Sequence, residues 1–362
     1  MKVTPERLEE WRRRATELDA SDMRGHIGGL GAQIEAALAR TTPFVAALPG
    51  GEAPRAIVVF GMGGSAMGAD LVAAYTEERR RLPLATLRGY DLPTWIDDES
   101  LGIASSYSGN TEETIACYEE AKRRGMRVVA ITTGGRMRAL AEEYGDPVLE
   151  LPAGFPPRAA IGHSFTAVAL VAARYDPALD PGVEADAIGA LPGALAPLAE
   201  SWLAWSTDNL ALDIAAAIAQ RLPIVYAGNS ISIAAARRWK TQLNENGKIP
   251  TYWAEFPEHN HNEIVGFEGS SPALEKLALV YLETPWDHPR VTRRMDFVHA
   301  ECEGRVGWQR RVRDETSAET PLENLFRLFY LGDCASFLVS IMTGSDPTPV
   351  RSIDRLKSAL AH

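Results

Sequence analysis

Apolar positions along the chain follow two rhythms. Short unbroken apolar runs alternate with stretches in which apolar residues recur every three or four positions. The run at residues 56–60 (AIVVF) reads as a strand buried on both faces. Similar runs at residues 82–87, 101–105, 127–132 and 148–151 predict further strands. Helical spacing fills the gaps at residues 66–75, 112–124 and 137–144, and Gly125 supplies a natural helix stop. Strand and helix in alternation predict an α/β fold, a parallel sheet covered on both sides, over about residues 55–150.

Before this block, helices are expected at residues 6–18 and 32–48, with a flexible break at 25–31 (GHIGGLG). After it comes a stiff, exposed link at 152–158 (PAGFPPR). Helices are expected at 164–174 and 203–221, separated by a Pro/Gly-rich stretch at 176–197. The opening pattern then recurs. A strand at 223–227 (PIVYA) enters Gly228-Asn229-Ser230 and a helix at 231–243. Strands at 249–253, 277–282 and 305–312 follow, with helices at 289–303, 322–342 and 349–360. The expected organisation is an N-terminal helical segment (1–54), a first α/β domain (55–180) and a second (200–362) with a C-terminal helix. The repeat is one of topology, weak in sequence.

Composition narrows the function. With 46% hydrophobic and 23% charged residues, the chain is ordinary globular material. Its 37 Lys and Arg against 48 Asp and Glu give a net charge of −11. That lacks the basic footprint of nucleic-acid binding, so an anionic ligand must be held by local donors. Cys117, Cys302 and Cys334 are far apart and show no zinc or disulfide spacing, which fits a reducing compartment. The first 22 residues are charged throughout, without a signal-peptide core, and Asp333 breaks the longest apolar run. A cytoplasmic protein with no membrane partner is expected.

In open parallel sheets, ligands bind beyond the carboxyl ends of the strands. The first such turn here is Gly61-Met62-Gly63-Gly64-Ser65. Its glycines permit close backbone approach to a ligand, and GMGGSA also fits a dinucleotide fingerprint. The acidic residue that should end the next strand comes late, at Asp91. A tight packing turn is the alternative. The second turn, Ser106-Tyr107-Ser108-Gly109-Asn110-Thr111, gathers hydroxyls at one helix start. It has no Walker lysine and suits a phosphomonoester. The alternative is a capping box, which needs one hydroxyl and not three. The third, Asn229-Ser230, precedes a helix whose far end reads Asn244-Glu245-Asn246-Gly247-Lys248. A carboxylate between two amides at a helix end is unusual, though taken singly it also reads as an exposed glutamate.

Downstream, Glu258-His259-Asn260-His261-Asn262-Glu263 places two histidines at i and i+2, which share no helix face. No metal is expected; a proton-transferring histidine is. Arg158 follows Pro156-Pro157, a rigid approach to a cleft. Lys357 gains no role from its spacing alone.

Taken together, GMGGSAMG, SYSGNTEET, NENGK, the Asn260-His261-Asn262 stretch and the final TPV…LK resemble the bifunctional phosphoglucose/phosphomannose isomerases. These are built from two sugar-isomerase (SIS) domains. The resemblance runs from about residue 55 to the end. It implies that Ser106, Ser108 and Thr111 hold a sugar phosphate, and that Gly63, Gly64 and Ser65 line the sugar. It implies a base at Glu245, ring opening by His261 with Lys357, and charge stabilisation by Arg158. It further implies interconversion of glucose 6-phosphate and mannose 6-phosphate with fructose 6-phosphate, no cofactor, and a homodimer with shared active sites. The usual NENAK is NENGK here. Three other readings remain open. One is a non-catalytic sugar-phosphate-binding SIS protein, another a SIS isomerase of a different sugar phosphate. The third is a nicotinamide enzyme, which leaves the hydroxyl loop unexplained.

Overall fold

The structure is a computed structural model that describes residues 3–313, 315–316 and 318–360. The outermost residues of the expected terminal segments, 1–2 and 361–362, lie outside the described residues. The chain forms two compact units that are not simple consecutive segments. The first unit comprises Gly29–Ala196 with Pro321–Glu323; the second comprises Met1–Gly28, Pro197–Thr320 and Asn324–His362. The expected N-terminal helical segment is thus divided between them.

The first unit contains α3 (Leu30–Ala47), β1 (Ile57–Phe60), α4 (Gly63–Thr76), β2 (Leu84–Leu87), β3 (Leu101–Ser106) and α5 (Glu112–Arg123). It continues through β4 (Arg127–Thr132), α6 (Gly135–Tyr144), β5 (Val148–Glu150), α7 (Ile161–Tyr175) and α8 (Pro181–Gly189). Helix α9 (Leu191–Trp202) spans the boundary at residue 196. Among the described residues, five strands form a sheet in the order β2-β1-β3-β4-β5. Every pairing is parallel, with Val58 opposite both Ala85 and Gly102. β1 and β3 are buried at every position, as continuous apolar strands in a covered parallel sheet should be. Phe60, Ala104, Tyr118, Val128 and Met137 belong to the core on one face.

The second unit contains α1 (Pro5–Leu18), α2 (Met23–Gly28), α10 (Leu210–Ile218), β6 (Leu222–Ala227), α11 (Ser230–Glu245) and β7 (Tyr252–Glu255). It continues through β8 (Leu277–Leu282), α12 (Pro289–Glu301), β9 (Trp308–Val312), most of α13 (Pro321–Thr343) and α14 (Arg351–Leu360). Its sheet has the order β7-β6-β8-β9, again parallel throughout. This repeats the first four positions of the other sheet. In each sheet the order reverses beside the first strand, so a crevice opens at the carboxyl ends of β1 and β3, and of β6 and β8.

Several segments depart from the sequence expectation, each for a local reason. The break at 25–31 is largely helical. Asp19 accepts from the amides of Met23 (2.7 Å) and Arg24 (2.9 Å), and Met23 and Ile27 are buried. The Pro/Gly-rich stretch at 176–197 folds into α8 and the start of α9. Asp180 caps α8 by accepting from Gly182 (2.8 Å) and Val183 (3.0 Å), with Pro181 in the first turn, where a missing N–H costs nothing. The helix expected at 203–221 is shorter, because Asn209 caps α10 while its amide holds Trp202 O and Ala204 O. The strand expected at 249–253 lies at Tyr252–Glu255. The link at 152–158 is not wholly exposed: it ends in a short 3-10 turn, Pro157–Ala159, with Arg158 buried. Asp333 does not interrupt α13. By length and composition that helix could cross a membrane, but its apolar residues, such as Phe326, Phe329 and Phe337, are fully buried in the protein.

Candidate active site

In the first unit, the loops after β1 and β3 meet at the crevice. Gly63 adopts φ +50°, and a methyl group there would meet nothing within 4 Å. Glycine at 63 is therefore required by conformation. At Gly64 the requirement is space: a Cβ would stand 2.7 Å from Pro157 O and 3.0 Å from Arg158 Cα. The close approach seats the Arg158 backbone against the start of α4. Ser65 Oγ accepts from Tyr107 N–H at 3.1 Å and keeps its own proton for another acceptor.

The hydroxyl loop is folded around itself. Ser106 Oγ and Thr111 Oγ1 are 2.9 Å apart, and Gly109 N–H donates to Ser106 Oγ at 3.2 Å. Asn110 N–H donates to Ser108 Oγ at 3.3 Å. Gly109 sits at φ +69°, and a Cβ there would fall 1.8 Å from Gly134 O, so only glycine closes this turn. Thr111 is the N-cap residue of α5, yet its side chain makes no cap bond. The capping-box reading therefore does not describe this turn. Its hydroxyls stand over the N-terminus of α5, where orphan amides and the helix dipole favour an anion. The corresponding turn after β6 differs. Asn229 and Ser232 form a reciprocal capping box, and the Asn229 amide also donates to Thr284 Oγ1, so these polar groups are engaged internally.

Thus the first unit brings Gly63, Gly64, Ser65, Ser106, Ser108, Thr111 and Arg158 to one edge of its sheet. Arg158 is 5% exposed, and Ser108 is exposed.

In the second unit, Glu245 is the last residue of α11 and is half-buried. With Asn244, Lys248, Asp346, Arg351 and Ser352 it lines a cavity of about 640 Å³. The flanking amides fix this helix end. Asn246 Nδ2 donates to Ser336 Oγ (3.0 Å), and Asn244 Oδ1 accepts from Thr251 N–H (2.9 Å). Lys248 is visible in NENGK only as part of a motif. Its Nζ donates to Glu245 O, to Pro347 O (3.2 Å) and to Pro349 O (2.7 Å), tying the end of α11 to the loop before α14. Gly247 packs closely as well, since a Cβ would lie 2.7 Å from Leu243 O and 3.1 Å from Val339 Cγ1. His261 is exposed at the end of a short 3-10 turn, Glu258–His261. Lys357 is exposed on α14, as are Ile353, Leu356 and Leu360. Neither His261 nor Lys357 is among the residues lining the Glu245 cavity.

The two histidines of the EHNHNE stretch have separate fates. His259 is 1% exposed, stacks on Phe256 at 4.7 Å and meets the Tyr226 ring edge-on at 4.8 Å. Burial pushes its pKa down to about 4. The folded protein thus holds it neutral, while the unfolded chain takes up a proton below about pH 6.5. Its contribution to stability is complete above that pH and is lost as pH falls toward 4. Expressed through the shift, the loss by pH 5 is about 2 kcal/mol. His259→Phe should lose less thermal stability than the wild type between pH 7 and pH 5. Parallel melting curves in that window would refute the assignment. Among the described residues, no group of three or more His, Cys, Asp or Glu is placed to hold a metal ion.

Two parallel α/β units, one carrying a hydroxyl-lined loop at its switch point, define a SIS-type protein. Residues 207–360 match the family described as bacterial phospho-glucose isomerase C-terminal SIS domain. The chain is 38% identical over 308 residues to the bifunctional phosphoglucose/phosphomannose isomerase of Caldicellulosiruptor bescii, covering 84% of this chain and 89% of that one. It is 32% identical to the Aquifex aeolicus protein of the same name, over 84% of this chain and 90% of that one. A crystal structure of a hypothetical protein from Thermus thermophilus shares the fold. Its TM-score is 0.70 at 18% identity, covering 98% of this chain and 93% of that one. The chain belongs to the bifunctional phosphoglucose/phosphomannose isomerase family.

Proposed function

We infer that this protein is an aldose–ketose isomerase that interconverts glucose 6-phosphate and mannose 6-phosphate with fructose 6-phosphate. The observation that supports this reading is the Thr111 hydroxyl, which pairs with Ser106 Oγ at 2.9 Å in the hydroxyl loop and does not cap its own helix. Hydroxyls and amides at the N-terminus of α5 fit a phosphomonoester, and the named relatives are isomerases of hexose phosphates. In this reading the cradle grips the phosphate and orients the sugar for reaction at distant carbons. His261, with Lys357, moves a proton between the ring oxygen and the C1 hydroxyl, which opens the ring. Glu245 then takes the C2 proton and returns it to C1 through a cis-enediolate. Arg158 stabilises the oxyanion of that intermediate, a role that asks for a fixed positive charge and no metal. Rotation about C2–C3 in the intermediate presents either face of C2 to one base, so both epimers are served. The reading includes a homodimer with shared sites and a cytoplasmic location; free, buried cysteines fit a reducing compartment.

The deciding experiment is a coupled assay on glucose 6-phosphate, mannose 6-phosphate and glucosamine 6-phosphate, with and without EDTA. Chelator-insensitive turnover of the first two is expected. Turnover of the amino sugar alone would replace the substrate assignment, and turnover of none would leave a binding protein. Ser108→Ala should chiefly raise KM, because it removes a hydrogen bond to a charged group worth about 1.5–3 kcal/mol. An unchanged KM would mean that the loop does not hold the phosphate.

A further inference from the structure

Within the cradle, the Tyr107 side chain has no role in the reading above. Tyr107 lies between the hydroxyl residues Ser106 and Ser108, yet its own hydroxyl is engaged elsewhere. It donates to Pro152 O at 2.7 Å and accepts from Phe155 N–H at 2.9 Å. Its backbone is engaged too. The N–H donates to Ser65 Oγ at 3.1 Å, and the carbonyl accepts from Thr133 N–H (3.0 Å) and Thr133 Oγ1 (2.7 Å). One residue of the cradle is therefore bonded to three other segments: the first turn of α4, the β4–α6 turn, and the link after β5.

That link most needs outside support. Pro152, Pro156 and Pro157 have no N–H, and Gly154 sits at φ +101°. Before the short 3-10 turn, no regular structure holds the link in place. Phe155, once fixed by Tyr107, meets the buried His163 ring edge-on at 5.4 Å. Pro157 and Arg158 then seat against Gly64. The path from cradle to the Arg158 backbone is thus short and continuous: Tyr107 Oη, Phe155, the 3-10 turn, Arg158.

We propose that Tyr107 is a positioning residue that holds Arg158 in register with the phosphate cradle. The inference rests on the isomerase reading given above. The phosphate is gripped by the hydroxyls of Ser106, Ser108 and Thr111, and the Tyr107 hydroxyl is already committed. Its loss should therefore spare ground-state binding and weaken the stabilisation that Arg158 gives the intermediate. A displacement of about 1 Å in such a group can cost on the order of 100-fold in rate.

The test is Tyr107→Phe, which keeps the ring and the backbone bonds and removes only the hydroxyl. Its kcat on fructose 6-phosphate should fall about 10- to 100-fold with KM within about two-fold of wild type. In an Arg158→Ala background the same change should cost less than about two-fold, because the residue it acts through is gone. Amide exchange of the peptide spanning residues 152–160 should accelerate in Tyr107→Phe. An active wild type with an unchanged Tyr107→Phe kcat overturns this inference alone. So does an equal loss in the Arg158→Ala background, or a raised KM at constant kcat. Unchanged exchange at 152–160 removes the tether whatever the activity. A wild type inactive on every hexose phosphate overturns the isomerase reading, and the catalytic half of this inference with it.

Discussion

Glu245→Gln should lower kcat by roughly 10²–10⁴-fold while leaving KM within a few-fold of wild type. In free energy this is about 3–5 kcal/mol of lost transition-state stabilisation. The substitution is nearly isosteric and removes the negative charge together with the ability to take a proton. It should not disturb the fold, because the helix end is fixed by neighbouring groups. Asn246 is bonded to Ser336, Asn244 to Thr251, and Lys248 to three carbonyls. In the proposed reading the phosphate contacts lie on Ser106, Ser108 and Thr111, so ground-state affinity should persist. Two readouts give the prediction force. In heavy water the wild type should label the exchangeable carbon of fructose 6-phosphate, and Glu245→Gln should not. If sites are shared in a homodimer, mixing Glu245→Gln with His261→Ala chains should restore part of the activity. Normal isomerisation by Glu245→Gln would remove the base from the mechanism. Absence of complementation would count against shared sites while leaving the base in place.

The parts of this molecule legible in its sequence are those whose physics is local. A strand covered on both faces must be apolar along its whole length, and AIVVF, LGIAS and RVVAIT all became central strands. The hydroxyl loop is legible for the same reason, since three side chains crowded at one helix start cannot all be caps. The misreadings arose where composition pointed one way and a single bond decided the other. Pro and Gly between 176 and 197 mark only a stretch separating two helices, but Asp180 followed by Pro181 is a helix start. The glycines at 25–31 suggested a break, but the Asp19 carboxylate caps that turn. The candidate site shows the same division. That residues 258–263 hold one core histidine and one exposed histidine follows from the packing of Phe256 and Tyr226 around His259, which no spacing rule encodes. The Tyr107 hydroxyl reaches residues 45 and 48 positions away, so only the folded chain reveals what it does.

Asp333 reads in sequence as a flaw in an apolar run, and its partner makes it the second large prediction. Arg238 on α11 and Asp333 on α13 are both buried, with Nη2 at 2.6 Å and Nε at 3.2 Å from Asp333 Oδ2. The guanidinium also lies 5.1 Å from the centre of the Phe329 ring. A charge taken this far out of water is tolerated only while its partner is present. Arg238→Met or Asp333→Ala alone should therefore destabilise the second unit by about 3–5 kcal/mol, seen as a large drop in its denaturation midpoint. The double variant Arg238→Met/Asp333→Leu should recover most of that loss, since an apolar pair of similar volume needs no compensation. If the single and double variants lose stability equally, the cost is one of packing and not of an orphaned charge. If neither single variant is destabilised, the pair contributes nothing. Trp239, whose Nε1–H donates to Leu328 O at 2.8 Å across the same pair of helices, would then remain among the bonds that hold α11 to α13. The position of the pair also bears on the proposed site. Arg238 lies two helical turns before Glu245 on α11, so loosening the contact with α13 should move Glu245, the proposed base. A single variant still folded at assay temperature should accordingly lose kcat in proportion to its loss of stability, and the double variant should regain both.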